Sequence, residues 1–296
     1  MRITNVRIKK KRYEVDGRCM ACQFEAFERL LNINNVPYTE RQEFFGFYNL
    51  TMGQSAALTM PEIHQKLNKE FCRLTNSDDL YKDEKTQSNQ LAKVLYDEWK
   101  PKILSANDSF DSALRLSIAG NIMDYGPSAN FDVHQTIDKV MASEFTIDHS
   151  LELKKRISSA QNILYLGDNT GEIVLDKLFI ETIHHKNLTF AVRGAAVMND
   201  ATMEDAHEVG MNEVAQLISN GSDAPSTVLS QSSPAFLDAY ENADLIISKG
   251  QGNLEGLINE NDPRIFFLLM VKCNVIAELL EVPKGSFVVY NTSIEI

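Results

Sequence analysis

Apolar and polar positions follow two different periods along this chain, and the change of period divides it. In the first half the apolar residues recur at helical spacing. Phe24, Phe27, Leu30 and Leu31 share one face of a helix predicted over 19–31. Pro61 opens a second, with Ile63, Leu67 and Phe71 on one side. Leu91, Val94, Leu95 and Trp99 continue the pattern up to Pro101, where a helix is expected to stop. Segments 114–123 and 131–145 read the same way. The basic stretch before Tyr13 reads as a solvated arm or an edge strand.

Near Ser158 the pattern changes to short apolar runs, each closed by polar or glycine residues. These are 163–166, 188–192, 244–248, 265–271 and 287–290, with a weaker run at 215–218. Such runs between helical segments predict a parallel sheet covered on both faces. The expected fold class is α/β, with a helical N-terminal domain over 1–157 and an α/β domain over 158–296.

The composition is globular: 296 residues, 44% hydrophobic and 24% charged. A formal net charge of -12 disfavours nucleic acid as a partner, because an acidic surface repels phosphate backbones. A small phosphorylated ligand remains compatible, since a metal ion and a few cations can reverse the field inside one cleft. No apolar run reaches bilayer length, so no membrane partner is expected. Four cysteines in so long a chain are not a disulfide framework, and a cytoplasmic location is the expectation.

In open α/β sheets, ligands bind beyond the carboxyl ends of the strands. Four of the runs are followed by polar, glycine-rich segments: Gly167–Glu172, Arg193–Gly194 with Asn199 and Asp200 beyond, Asn220–Asp223, and Lys249–Asn253. Asp168, Asn169 and Asp200 offer hard oxygen ligands suited to Mg²⁺ or Mn²⁺, with Co or Ni as further candidates. Asp-Asn after a strand is also a common turn or helix cap. Lys249 with Gly250, Gly252 and Asn253 reads as a phosphate cradle, or as an ordinary glycine-rich turn with a surface lysine. Glycine spacing in G-D-N-T-G does not match a dinucleotide fingerprint. Glu172 is expected to support the site and Asp176 the fold. Cys19 and Cys22 form a CxxC pair that nothing nearby completes into a zinc or redox site, and Cys72 and Cys273 are expected in the core.

Together these motifs resemble the damage-control phosphatase family, formerly a domain of unknown function and related to a proposed protein-glutamate carboxyl methyltransferase. The matching stretches run from Gly167 to Asp176, Val192 to Thr202 and Ile246 to Glu255, with a fourth from Ala119 to Gly126 in the helical half. The CxxC resembles the family's prokaryotic branch. The resemblance implies a three-layer α/β/α Rossmann-like core and a divalent metal held by Asp168, Asn169 and Asp200. It also implies hydrolysis of phosphorylated small metabolites such as sugar phosphates or damaged cofactor phosphates. Asp168, Asp200 and Lys249 become the expected catalytic set, and Asn121, Asp124, Glu172, Arg193, Asp223, Gly250, Gly252 and Asn253 the expected substrate contacts. Two positions depart from the family pattern: Ala196 stands in place of proline and Ser226 in place of glycine. The competing readings are an S-adenosylmethionine-dependent carboxyl methyltransferase and a non-enzymatic sugar-phosphate sensor. Methyl transfer has no use for the oxygen ligands, and only turnover separates the sensor from a phosphatase.

Overall fold

Each apolar run read from the sequence becomes a strand of one sheet. A computed structural model describes residues 12–120 and 133–295. Its strands are β1 (Ile147–Asp148), β2 (Ile163–Leu166), β3 (Leu188–Val192), β4 (Gln216–Ser219), β5 (Leu245–Lys249), β6 (Ile265–Met270) and β7 (Phe287–Tyr290). They lie in the order β1-β7-β6-β5-β2-β3-β4, all parallel except for the antiparallel pair β6–β7. The helices are α1 (Gly17–Ile33), α2 (Tyr38–Met52), α3 (Met60–Thr75), α4 (Lys82–Leu104), α5 (Ser109–Ala119), α6 (Val133–Ala142), α7 (Ser150–Ser159), α8 (Glu172–Ile183), α9 (Met203–Glu208), α10 (Pro234–Asn242), α11 (Gly250–Leu257) and α12 (Asn274–Leu280).

Side chains of a strand alternate between faces, and here both faces are dry. In β2, Ile163 and Tyr165 enter one core, with Leu95 and Trp99 of α4, Leu114 of α5 and Phe179 of α8. Leu164 and Leu166 enter the other, with Phe27 of α1, Phe44 of α2, Phe71 of α3 and Leu254 of α11. The result is a three-layer α/β/α sandwich. Helices from the first half of the chain contribute to both outer layers. The expected boundary at residue 158 falls inside the last turn of α7, and β1, from before it, is an edge strand of the same sheet.

Local chemistry explains most helix limits. Thr59 and Glu62 form a reciprocal capping box at the start of α3. Helix α4 differs from expectation, because it continues through Pro101 to Leu104. A proline so near the end removes one amide donor while only three residues remain, so the loss is small. Helix α2 was not foreseen. The N-terminal arm lies outside the described residues. Among the described residues no helix is long and apolar enough to cross a membrane.

The second core is built around aromatic rings. Phe27 packs 5.1 Å from Phe44, 5.2 Å from His64 and 6.0 Å from Phe71, measured between ring centroids. Phe27 is fully buried. Phe27→Ala is expected to lower unfolding free energy by about 3–5 kcal/mol, read as a drop in urea midpoint at unchanged slope.

Candidate active site

The strand order reverses between β2 and β5. From β2 the chain moves outward through β3 and β4; it then returns to pair β5 with the other side of β2 and continues to β6. Such a switch point opens a crevice at the carboxyl ends of the strands. Asp168 follows β2 and Gly250 follows β5, so both stand at that crevice. They meet so closely that a Cβ on Gly250 would overlap the Asp168 carboxylate. Gly250 also has φ of +78°, a conformation that disfavours other residues.

Backbone bonds hold the neighbouring loops in register. Ala201 N donates to Asp168 O at 2.8 Å, Thr170 N to Asn199 O at 2.9 Å and Arg193 N to Ala201 O at 3.0 Å. An isolated bridge joins Asn169 and Asp200. These bonds bring together Asp168, Asn169, Arg193 and Asp200 from two separate loops. From the helical half, Asn89 of α4 accepts Gly171 N at 2.8 Å and so fixes the start of α8.

The side chains form one buried network. Arg193 donates through Nε to Asp200 Oδ2 at 2.5 Å and through Nη2 to Asp168 Oδ1 at 3.2 Å. Asn169 Nδ2 donates to Asp168 Oδ2 at 3.0 Å and Glu172 Oε2 at 3.2 Å. Lys249 Nζ pairs with Glu172 Oε1 at 2.9 Å and with Asp176 Oδ1. It also donates to the carbonyl and hydroxyl of Ser117, each at 2.8 Å. Asp176 Oδ1 further accepts from Tyr165 at 2.8 Å and Ser117 at 2.6 Å.

Burial sets the electrostatics. Four buried carboxylates (Asp168, Glu172, Asp176, Asp200) face two buried cations, Arg193 and Lys249, which leaves an excess of two negative charges when all are ionised. Desolvation, then the charges of Glu172 and Asp200, push the Asp168 carboxyl well above its usual range. Desolvation also raises Asp200, against the opposing pull of Arg193. Asp176 is raised by burial to about 6 although Lys249 works the other way. Burial opposes the charge on Lys249, but Asp176 and Glu172 outweigh it and raise its pKa.

Lys249 requires a correction. It was expected to contact phosphate and to matter little to the fold. It has no exposed surface, and its ammonium group is spent on Glu172, Asp176 and Ser117. In this arrangement it holds two buried carboxylates. The segment after it is also not a loop, because α11 begins at Gly250 itself. Asn253 is a cross-tie: it donates to Gly167 O at 3.2 Å and Lys249 O at 2.8 Å and accepts from Thr227 N at 2.8 Å. Asp223 lies half-buried beside Gln65 and Lys69 of α3. Gly252 packs against Pro225 O. Asn121 and Asp124 lie outside the described residues. Ser226, in place of the family glycine, is buried and donates to Gly252 O at 2.8 Å, so its hydroxyl is absorbed by the scaffold. Asn89, Ser117 and Tyr165 join the site without any local motif that would have pointed to them.

Among the described residues no three histidines, cysteines or carboxylates are arranged to hold a metal ion. The set expected to do so is two carboxylates and an amide oxygen. Asn169 commits its nitrogen to Asp168 and Glu172, which turns its oxygen away from them.

Fold and site together define a doubly wound α/β protein with an acidic cluster at its switch point. The chain belongs to the damage-control phosphatase ARMT1-like domain family, whose model matches residues 15–288. It is 36% identical over 225 residues to a damage-control phosphatase of Pyrococcus horikoshii, covering 74% of this chain and 77% of that protein. It is 29% identical over 228 residues to a damage-control phosphatase of Archaeoglobus fulgidus, covering 75% and 79% respectively. The crystal structure of a DUF89 family protein from P. horikoshii superposes with a TM-score of 0.82 at 30% identity, covering 95% of this chain and 100% of that one.

Removing one partner of a buried ion pair leaves an uncompensated charge, at a cost of about 3–5 kcal/mol. Lys249→Met is therefore expected to lose that much stability in urea unfolding. Asp176→Asn in the same chain is expected to recover part of it, since the orphaned charge is then gone. A loss in the double variant equal to the sum of those in Lys249→Met and Asp176→Asn alone would show that Lys249 and Asp176 do not interact.

Proposed function

We propose that this chain is a divalent-metal-dependent phosphomonoesterase acting on small phosphorylated metabolites. The observation that carries this reading is the excess of buried negative charge at the switch point, next to the first turn of α11. Four carboxylates around two cations are costly to bury without a further cation. Asp168, Asn169 and Asp200 have the donor chemistry for Mg²⁺ or Mn²⁺, whose hard oxygen preference they match. When bound, the ion neutralises phosphoryl oxygens and polarises a water molecule. The family's named phosphatases support the hydrolytic assignment.

The chain's own groups account for the rest. Arg193 joins Asp168 to Asp200 and fixes the distance between them. The first turn of α11, opening at Gly250, directs backbone N–H groups and the positive end of the helix toward an incoming phosphate. Asp168 is held on several sides. One of its oxygens accepts from Arg193 and the other from Asn169, and the carboxylate lies against Gly250. In this reading water is the nucleophile, and Asp168 or Asp200, once ionised, takes its proton. Lys249 keeps Glu172 in place, and Glu172 in turn orients Asn169.

Turnover of p-nitrophenyl phosphate is expected to stop on exhaustive chelation and to return with Mg²⁺ or Mn²⁺. Asp200→Asn is expected to lower it by on the order of a hundredfold or more. Metal at about a hundred times its Kd stabilises a binding protein by about 2.7 kcal/mol, so the wild-type melting temperature is expected to rise with Mn²⁺ while that of Asp200→Asn rises far less. Full turnover after chelation, or equal thermal shifts in both proteins, would overturn the metal assignment.

A further inference from the structure

A cleft of about 600 Å³, within the range of small-molecule sites, opens beside the first turn of α11. One wall consists of segments that follow strands at their carboxyl ends: Met198 after β3, Pro225 after β4, Gln251 and Gly252 after β5, and Cys273 after β6. The other is made by α1, through Cys22 and Ala26, and by α3, through Met60. Cys273 was expected in the core; it lines this cleft together with both cysteines of the CxxC pair. Gln251 and Gly252, which line the cleft, belong to the first turn of α11, where the phosphate is proposed to bind, and Met198 lies two residues before Asp200 in the chain.

Several polar groups of its walls are occupied by each other, while Asn274 and Lys284 are exposed. His64 Nδ1 and Gln23 Oε1 are 2.8 Å apart. Gln251 donates to Glu255 at 2.9 Å and to Cys273 Sγ at 3.5 Å, and its oxygen accepts Lys272 N at 2.9 Å. Arg18 spends its guanidinium on Asp16 and Glu278. Burial disfavours charge in the interior: it lowers His64 to about 4, raises Glu255 to about 7 and raises the thiols of Cys19 and Cys22. A polyol would find few open partners here. Methionines, thiols and a proline present polarizable apolar surface, to which sulfur adds favourable contacts with aromatic rings.

Resting on the phosphomonoesterase reading, we infer that this cleft seats the organic body of the substrate, and that this body is aromatic or heteroaromatic, uncharged and larger than a hexose. The phosphate would lie at the first turn of α11 and the ring system between Met198 and the α1–α3 wall. The substrate class is thus an aryl phosphomonoester rather than a simple sugar phosphate.

Two substrates of contrasting body test this: 1-naphthyl phosphate and glycerol 3-phosphate. In the wild type, kcat/KM is expected to favour the naphthyl ester. Ala26→Trp, which fills the cleft from α1, is expected to lower the naphthyl-to-glycerol ratio of kcat/KM at least tenfold; Val275→Trp fills it from the opposite side and serves if the first variant does not fold. A ratio unchanged in a folded variant would overturn the inference. A second reading needs no turnover. Cys22 is exposed and lines the cleft, so its alkylation by N-ethylmaleimide, followed by peptide mass spectrometry, is expected to slow at least threefold with 1-naphthyl phosphate and not with glycerol 3-phosphate. Protection without turnover of either ester would keep the cleft and remove the phosphomonoesterase reading. Turnover without protection would do the reverse.

Discussion

Burying like charges in one place is the constraint around which this molecule is organised. Asp168, Glu172, Asp176 and Asp200 lie within a single network, and an isolated buried carboxylate is among the costliest groups a fold can carry. The structure answers with Arg193 on one side, Lys249 on the other and Asn169 between them. Each cation is itself out of solvent, so each would be costly to bury without the carboxylates. The two halves stabilise each other, and the negative charge left over is what the proposed divalent cation would balance.

That arrangement explains why so many distant segments converge. Lys249 reaches the carbonyl of Ser117 in α5, and Asn89 in α4 holds the amide of Gly171. The strand ends and α8 supply the carboxylates, and the early helices add groups that help position them. The helices on this face are thus part of the site's foundation. On the opposite face, α1 and α3 close a cleft over the strand ends.

Much of the sheet was legible in the sequence because its central strands are buried on both faces, which leaves unbroken apolar runs such as Ile163–Leu166 and Leu245–Ile247. The residues brought to the switch point were legible for the same reason, since glycines and polar groups follow those runs directly. Other features left no local trace. Strand β1 is two residues long. Helix α2 places Phe44, Phe45, Phe47 and Tyr48 almost in succession, which masks helical spacing. Lys249 looked like a surface cation because its partners Ser117, Glu172 and Asp176 lie far away in sequence, and burial by distant segments is not written beside the residue itself. Cys273 and the CxxC pair are likewise joined only by the fold.

The pairing of β1 with β7 has a kinetic consequence. Ile147 registers with Val288, almost at the opposite end of the α/β half of the chain. Contacts of such sequence separation must close a long loop before they return any stabilisation, which slows folding. During synthesis the early helices emerge with apolar faces whose covering strands have not yet been made. The nascent chain therefore remains incomplete until its last strand is released, and a cell that makes this protein must shelter those faces for most of the time translation takes.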